Sequence, residues 1–235
     1  MELPEITILV PTWNRSKFLS LFLMNLKSQI YPHDKLKLII DDDGDDKFIK
    51  DIDFVRRTLN PIQVSYVKDK PRRSIGKKRN DLIKKCDTKI FCFMDDDDIY
   101  LPSYISHSYS ILKGQHVGCV GSDKMLFCMS DKDFGVYAIN CGNNVKLIHE
   151  GTLMMTKKWY KASCGFGNNS QGEGRQIFEG HIKDVAITDI TKLMVCLQHQ
   201  GNTIAKTQFA TPENKVDITM NDDFINIIKE ILKIK

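Results

Sequence analysis

Residues 89–98, Lys89-Ile90-Phe91-Cys92-Phe93-Met94-Asp95-Asp96-Asp97-Asp98, set five apolar residues directly before four aspartates. The apolar run reads as a buried strand over 89–94. Four carboxylates at its end are costly if buried and unpaired, so they need solvent, basic partners or a metal ion. The same figure occurs upstream, where a strand expected over 36–40 runs into Asp41-Asp42-Asp43-Gly44-Asp45-Asp46. Further strands are expected over 6–10, ended by Pro11, and over 63–67. Helix-like stretches lie between them at 17–29, 48–59 and 76–86. In the first of these, Phe18, Leu19, Phe22, Leu23 and Leu26 recur at the helical period behind Ser16, a candidate cap. Such alternation argues for an α/β fold, a mostly parallel sheet flanked by helices. In open parallel sheets ligands sit beyond the carboxyl ends of the strands, so the two aspartate clusters point to one shared crevice.

The chain has 235 residues, 42% hydrophobic and 27% charged, which excludes collagen-like, disordered and disulfide-scaffold classes. A chain of this size buries roughly 70–75% of the surface its unfolded form exposes, so one domain over 1–235 is expected. Its 34 basic and 30 acidic residues leave a net charge of +4, too small an excess to point to a polyanionic partner; placement of charge matters more. The seven cysteines are odd in number and contain no Cys-x-x-Cys pair, as in a reducing compartment. Met1-Glu2-Leu3-Pro4-Glu5 is acidic where a secretory signal is basic. No stretch approaches 18 uninterrupted apolar residues. A cytoplasmic protein with no transmembrane segment is expected.

After residue 100 the pattern is less regular. Short strands are expected at 117–121, 125–129, 134–139, 153–156 and 193–198, the middle ones spaced as hairpins and therefore as antiparallel additions to the sheet. Glycines at 165, 167, 172, 174 and 180 suit a mobile loop better than a packed element. Residues 222–235 carry Phe224, Ile227, Ile228, Ile231 and Leu232 at helical spacing. They read as a docked amphipathic helix, with a partner-binding or membrane-surface helix as the alternative.

Asp95 and Asp97 form an Asp-x-Asp pair whose carboxylates share one side of an extended turn, hard oxygen ligands of the kind that suit Mg²⁺ or Mn²⁺. A solvated acidic turn is the alternative, but it has no need of the apolar frame on both flanks, 90–94 and Ile99-Tyr100-Leu101-Pro102. Other sites fail on spacing. With Gly44 as the sixth position of a calcium loop, the first and twelfth ligands would be Ile39 and Lys50, which cannot coordinate. Gly76-Lys77-Lys78 lacks the upstream glycine and the following Ser or Thr of a Walker loop, and His149-Glu150-Gly151-Thr152 lacks the second histidine of a zinc-protease helix. What remains is a site built from scattered carboxylates.

A basic segment complements them: Lys68, Lys70, Arg72, Arg73, Lys77, Lys78 and Arg79, with Asp69 the only acid among them. It reads as a nucleic-acid patch, a wet surface, or a receiver for a diphosphate, with Gly76 letting the backbone come close and Arg79 offering a forked guanidinium. No aromatic residue is interleaved to stack on bases, which favours the diphosphate over nucleic acid.

Taken in order, Ile8-Leu9-Val10-Pro11-Thr12-Trp13-Asn14-Arg15, Leu38-Ile39-Ile40-Asp41-Asp42-Asp43-Gly44, Gly76-Lys77-Lys78-Arg79-Asn80 and Phe93-Met94-Asp95-Asp96-Asp97-Asp98 resemble the family 2 glycosyltransferases of the GT-A fold. The resemblance implies a Rossmann-like central sheet, a nucleotide-sugar-binding half over 1–100, a smaller antiparallel acceptor-side region over 101–215, and the helix beyond 216. It implies a UDP- or GDP-linked donor, inversion at the sugar, and an acceptor hydroxyl, as on a glycan. Pro11, Thr12, Asn14 and Arg15 would lie near the nucleoside, Asp42 or Asp43 would hold the base, and Gly76 and Arg79 would lie near the base or phosphates. Asp95 and Asp96 would face the donor, with Asp95 close to the ribose, and Asp97 would hold the metal. Family members carry a Glu-Asp or Asp-Asp pair on the acceptor side, one carboxylate of which is the base. The matching stretch here is Gln171-Gly172-Glu173-Gly174-Arg175, with glycine in place of the second acid, so Glu173 is the candidate and Glu179 and Asp184 are fallbacks. His199, in Leu197-Gln198-His199-Gln200-Gly201-Asn202-Thr203, is similar to a late histidine that ligates the metal in some relatives; a structural histidine is the alternative. Trp159 stacks on a sugar or is a packing residue.

Two other functions compete. A nucleotidyltransferase also pairs metal-binding carboxylates with a basic phosphate site, but it opens with a glycine-rich loop where this chain has Pro11-Thr12-Trp13-Asn14. A noncatalytic sugar-nucleotide-binding protein would keep the donor motifs and lose the base.

Overall fold

The computed structural model describes residues 2–68, 71–199, 202 and 206–234. Asp69 and Lys70 of the basic segment, and Gln200, Gly201 and Thr203 after His199, lie outside the described residues. The chain runs β1 (Ile6–Thr12), α1 (Leu19–Ser28), β2 (Leu36–Asp42), α2 (Ile52–Leu59), β3 (Gln63–Lys68), α3 (Ile75–Lys85), β4 (Ile90–Phe93), β5 (Ile99–Tyr100) and α4 (Tyr104–Gly114). It continues through β6 (Cys119–Gly121), β7 (Lys124–Met129), β8 (Gly135–Asn140), β9 (Met154–Thr156), α5 (Lys157–Ala162), β10 (Val185–Ile187), β11 (Met194–Gln198) and α6 (Asp222–Leu232).

Among the described residues, seven strands form one sheet in the order β10-β6-β9-β4-β1-β2-β3. β4, β1, β2 and β3 are mutually parallel, and β9 enters antiparallel between β4 and β6. Alternate residues of the central strands serve different cores. Ile8 and Val10 of β1 and Cys92 of β4 pack with α1, α2 and α6, whereas Leu9, Phe91 and Phe93 pack with Leu82 and Ile83 of α3, Trp159 and Phe178. A strand covered on both faces is apolar nearly throughout, and this is why residues 6–10 of β1, broken only by Thr7, and β4 read as hydrophobic runs.

The hairpin of β7 and β8 is antiparallel as its spacing suggests, but it does not extend the main sheet. β7 instead pairs parallel with β11, which pairs antiparallel with β5, giving a second sheet in the order β5-β11-β7-β8. This sheet lies just beyond the aspartates that follow β4, because β5 begins at Ile99.

Three local expectations are corrected. Ser16 does not cap α1: its hydroxyl bonds the carboxylate of Asp46, and the turn Ser16–Phe18 precedes the helix. α2 starts at Ile52 rather than near 48, since the Asp51 side chain accepts the Phe54 N–H at 2.9 Å and sets the first turn there. The glycine-rich stretch is a packed element and not simply a loop: Glu173–Phe178 forms a 3₁₀ helix with Glu173, Gly174, Ile177 and Phe178 buried. Helix α4 and the short α5 carry no clear sequence signal. In α4 one position of the buried face is Ser108, which mutes the apolar stripe. α6 lies against α1 and buries Phe224 and Ile228 in the first core, the docked arrangement. No described helix is long and apolar enough to cross a membrane.

Candidate functional site

A cavity of about 500 Å³ opens beyond the carboxyl ends of the parallel strands. Pro11, Trp13 and Arg15 line it from the end of β1, Arg72, Arg73, Lys78 and Arg79 from α3 and its approach, and Asp95–Asp98 from the end of β4. Its far wall comes from the second half, through His149, Glu150, Glu173, Arg175 and Lys206.

The four aspartates after β4 alternate in burial through the turn that follows the strand. Asp96 and Asp98 are buried, while Asp95 and Asp97 are partly exposed. Asp98 is structural: its carboxylate accepts the Leu197 N–H at 2.9 Å and its carbonyl accepts the Asn25 amide at 2.8 Å, tying β11 and α1 to this turn. Burial and the charge of Asp97 push Asp96 well above the usual carboxylate range, despite Thr12 and Arg15 nearby. For Asp97, burial again opposes ionisation, but His199 and Arg15 outweigh it and hold the carboxyl below its ordinary value. Asp97 Oδ2 lies 3.1 Å from His199 Nε2 and 3.2 Å from Arg15 Nη2. The His199 ring rests on Phe18 with centroids 4.7 Å apart. A carboxylate kept ionised beside an imidazole nitrogen fits a divalent cation as two ligands of a set. Among the described residues no group of three or more His, Cys, Asp or Glu side chains forms a metal cage.

Arg79 sits on the floor. Its Nη2 donates to Asp95 Oδ1 at 3.1 Å and its Nε to Glu173 Oε1 at 3.3 Å, and the guanidinium lies over the Phe93 ring, 4.6 Å from the centroid. Its Nη1 is buried with no partner. Burial opposes the charge, but Asp95, Glu173 and Glu150 more than restore it, so Arg79 stays cationic. Glu173 is raised, by burial first and by the charge of Glu150, with Arg79 pulling the other way. His149 is pushed down to about 4 by burial, so its ring is neutral at ordinary pH, and its Nδ1 is buried without a partner.

Asp41, Asp42 and Asp43 of the first aspartate cluster are buried, while Asp45 and Asp46 are exposed. Asp42 accepts hydrogen bonds from the backbone N–H of Gly44 at 2.9 Å and of Phe48 at 3.0 Å, and from the Tyr66 hydroxyl at 2.5 Å. Burial opposes its charge, yet these donors and Lys68 hold its pKa below the usual value. Asp43 accepts from Lys78 Nζ at 2.8 Å and the Arg73 N–H at 2.6 Å. Asn14, at φ 51°, accepts the Asp46 N–H at 3.0 Å. Gly76 packs so closely on the carbonyl of Gly167 that a β-carbon would collide with it. Thr12, Asp42, Asp43 and Gly76 thus form a buried layer behind the cavity wall and Asn14 is exposed, whereas Pro11, Arg15, Arg79, Asp95, Asp96, Asp97 and Glu173 line the cavity and His199 reaches it through Asp97. The fallback acids Glu179 and Asp184 are solvent-exposed and do not line the cavity. Trp159 is a packing residue: it is buried against Phe178 and donates its Nε1–H to the Lys183 carbonyl at 2.9 Å.

Several lining residues escape a reading of the sequence. Trp13 carries the Arg72 guanidinium 3.7 Å from its ring centroid. His149 and Glu150 are visible in the sequence only as an incomplete zinc-protease motif; their spacing says nothing of the cavity they reach.

A family model described as Glycosyl transferase family 2 matches residues 7–163. Among solved structures, the chain is similar to S. aureus TarS 1–349 in complex with UDP, with 14% identity and a TM-score of 0.65 over 83% of this chain and 60% of that one. It is similar to the same protein in complex with UDP-GlcNAc, with 13% identity and a TM-score of 0.62 over 97% and 65%. A mannosyltransferase from Pyrobaculum calidifontis, in complex with GDP-Man and Mn²⁺, shares 16% identity at a TM-score of 0.62 over 89% and 59%. At such identities the likeness shows the fold, and the chain spans about 60% of these proteins' length. Comparison with curated proteins finds no match.

Proposed function

The chain belongs to glycosyl transferase family 2, and on that premise we propose that it moves a sugar from a UDP- or GDP-linked donor to an acceptor hydroxyl with inversion at the anomeric carbon. One observation carries the reading. Asp95, Asp97, Arg79, His199 and Glu173, from segments far apart in the chain, meet around one cavity at the strand ends. The P. calidifontis protein was solved with Mn²⁺, and here Asp97 and His199 are the residues that would hold a divalent cation. Bound there, the ion would offset negative charge developing on the departing diphosphate.

The remaining roles belong to the chain itself. Arg79, cationic and with Nη1 left over, donates to the diphosphate. Trp13 and Arg72 form a face at the mouth on which a nucleobase stacks. An acceptor hydroxyl is a poor nucleophile at neutral pH, so Glu173 takes its proton, a contribution typically worth about 10²–10⁴-fold. Attack from the side opposite the leaving group inverts the centre. Glu173 and His199 both lie beyond the stretch that the family model matches, so their roles rest on the geometry.

The test is release of nucleoside diphosphate from a panel of UDP- and GDP-sugars, with and without Mn²⁺. Acceptor-stimulated, metal-dependent release supports the transferase. Tight nucleotide binding with no turnover marks a noncatalytic binder, and pyrophosphate formed from a sugar phosphate and a nucleoside triphosphate marks a nucleotidyltransferase.

A further inference from the structure

The start of the 3₁₀ helix that carries Glu173 is built around a second carboxylate. The Gly174 N–H donates to Glu150 Oε1 at 3.0 Å. A β-carbon placed on Gly174 would lie 2.5 Å from that oxygen, 2.6 Å from Glu150 Cγ and 2.9 Å from Cδ. Gly174 is not among the positive-φ residues, so its φ does not itself call for glycine. The three atoms nearest to that β-carbon all belong to the Glu150 side chain. The space a side chain at 174 would fill is occupied from a different loop.

Glu150 arrives there on a firm support. The next carbonyl, of Gly151, accepts the Tyr100 hydroxyl at 3.0 Å, and Thr152 Oγ1 donates to the His149 carbonyl at 2.7 Å while accepting the Ser122 N–H at 2.9 Å. Glu150 and Glu173 line the same cavity. The charged groups facing Glu173 are Arg79 from α3, Asp95 from the end of β4, and Glu150. Lys146, Arg175 and Lys206 line the cavity farther round, and His149 beside Glu150 is neutral. Arg79 therefore balances one carboxylate of three.

We propose that Glu150 is a positioning residue for Glu173, standing in for a side chain at position 174, anchoring the Gly174 N–H, and setting a second negative charge beside the base. This rests on the preceding assignment of Glu173 as the base. Its consequence is a Glu173 carboxyl that binds a proton more readily than Arg79 alone would allow, as a general base working near neutral pH requires.

The experiment follows the carboxyl carbon of Glu173 by ¹³C NMR through a pH titration, in the wild-type chain and in Glu150→Gln, with the pH profile of kcat measured beside it. Glutamine keeps the oxygen that accepts the Gly174 N–H and removes only the charge. The midpoint and the acid limb of kcat both fall, by about one unit. A merely structural role would lower kcat equally at every pH and leave the midpoint in place, and that result overturns the proposal. The steric half is tested by exchange. Gly174→Asp lowers Tm in the wild-type background, whereas Glu150→Ala combined with Gly174→Asp recovers Tm and at least tenfold of the kcat lost in Glu150→Ala. A Gly174→Asp chain that melts like wild type refutes the occupied space. Absence of transfer by the wild-type chain would remove the base assignment alone, because the titration and the melting experiments are read without turnover.

Discussion

Asp42 is where the expected role and the observed surroundings differ most, and Asp42→Asn separates them. The resemblance places the Asp42 or Asp43 carboxylate on a nucleobase, but the Asp42 carboxylate is fully buried and closes the loop after β2 through Gly44, Phe48 and Tyr66. A hydrogen bond to a charged group contributes about 1.5–3 kcal/mol, and a buried donor left without its acceptor costs about 1–3 kcal/mol. An amide keeps one accepting oxygen and turns an N–H donor toward a donor, so at least one of the three bonds is lost and another is weakened. Lys68, 3.3 Å away and partly exposed, adds little. The expected destabilisation is about 3–5 kcal/mol, which for a chain of this size lowers Tm by roughly 10 °C. Thermal unfolding followed by circular dichroism, with urea titration to check the slope, measures it. Because the folded pKa of Asp42 is lowered, this stability is fully present above the unfolded carboxyl value of about 3.9 and is lost as pH falls through the folded one. In Asp42→Asn the acid arm of the stability curve should therefore flatten. A variant that melts with the wild type but binds nucleotide tenfold more weakly would refute the structural role and return the carboxylate to the ligand.

Asp97→Asn should abolish metal-stimulated nucleotide release, and undiminished stimulation by Mn²⁺ would show that the ion is held elsewhere. Glu173→Gln should lower kcat by about 10²–10⁴-fold with donor Kd within a factor of a few; calorimetry showing the reverse pattern would move the base to another group. Trp159→Ala removes a buried ring packed on Phe178, so about 3–5 kcal/mol of stability should be lost with acceptor KM unchanged, and a raised KM in a chain of normal stability would contradict its packing role.

Much of the architecture was legible because it is periodic. The apolar runs that became β1, β2 and β4 follow from a backbone repeat that a linear pattern carries. The destination of the β7–β8 hairpin was not legible, since its local alternation suits any sheet edge and its partner, β11, lies some 70 residues on. The packed state of Glu173–Phe178 was hidden as well, because glycine content reports backbone freedom and says nothing about which neighbours require close approach.

From the amino-acid order alone came an α/β sheet with carboxylates massed at its strand ends, and with it the expectation of a diphosphate donor and a cation. The tertiary structure decided which carboxylates face the cavity and which brace it. Asp42 is consumed by its own loop, Asp97 meets His199 across 102 positions, and Glu150 reaches Gly174 across 24. An aspartate or glutamate has no role until the donors and charges around it are known, and those neighbours are assembled by packing between distant segments.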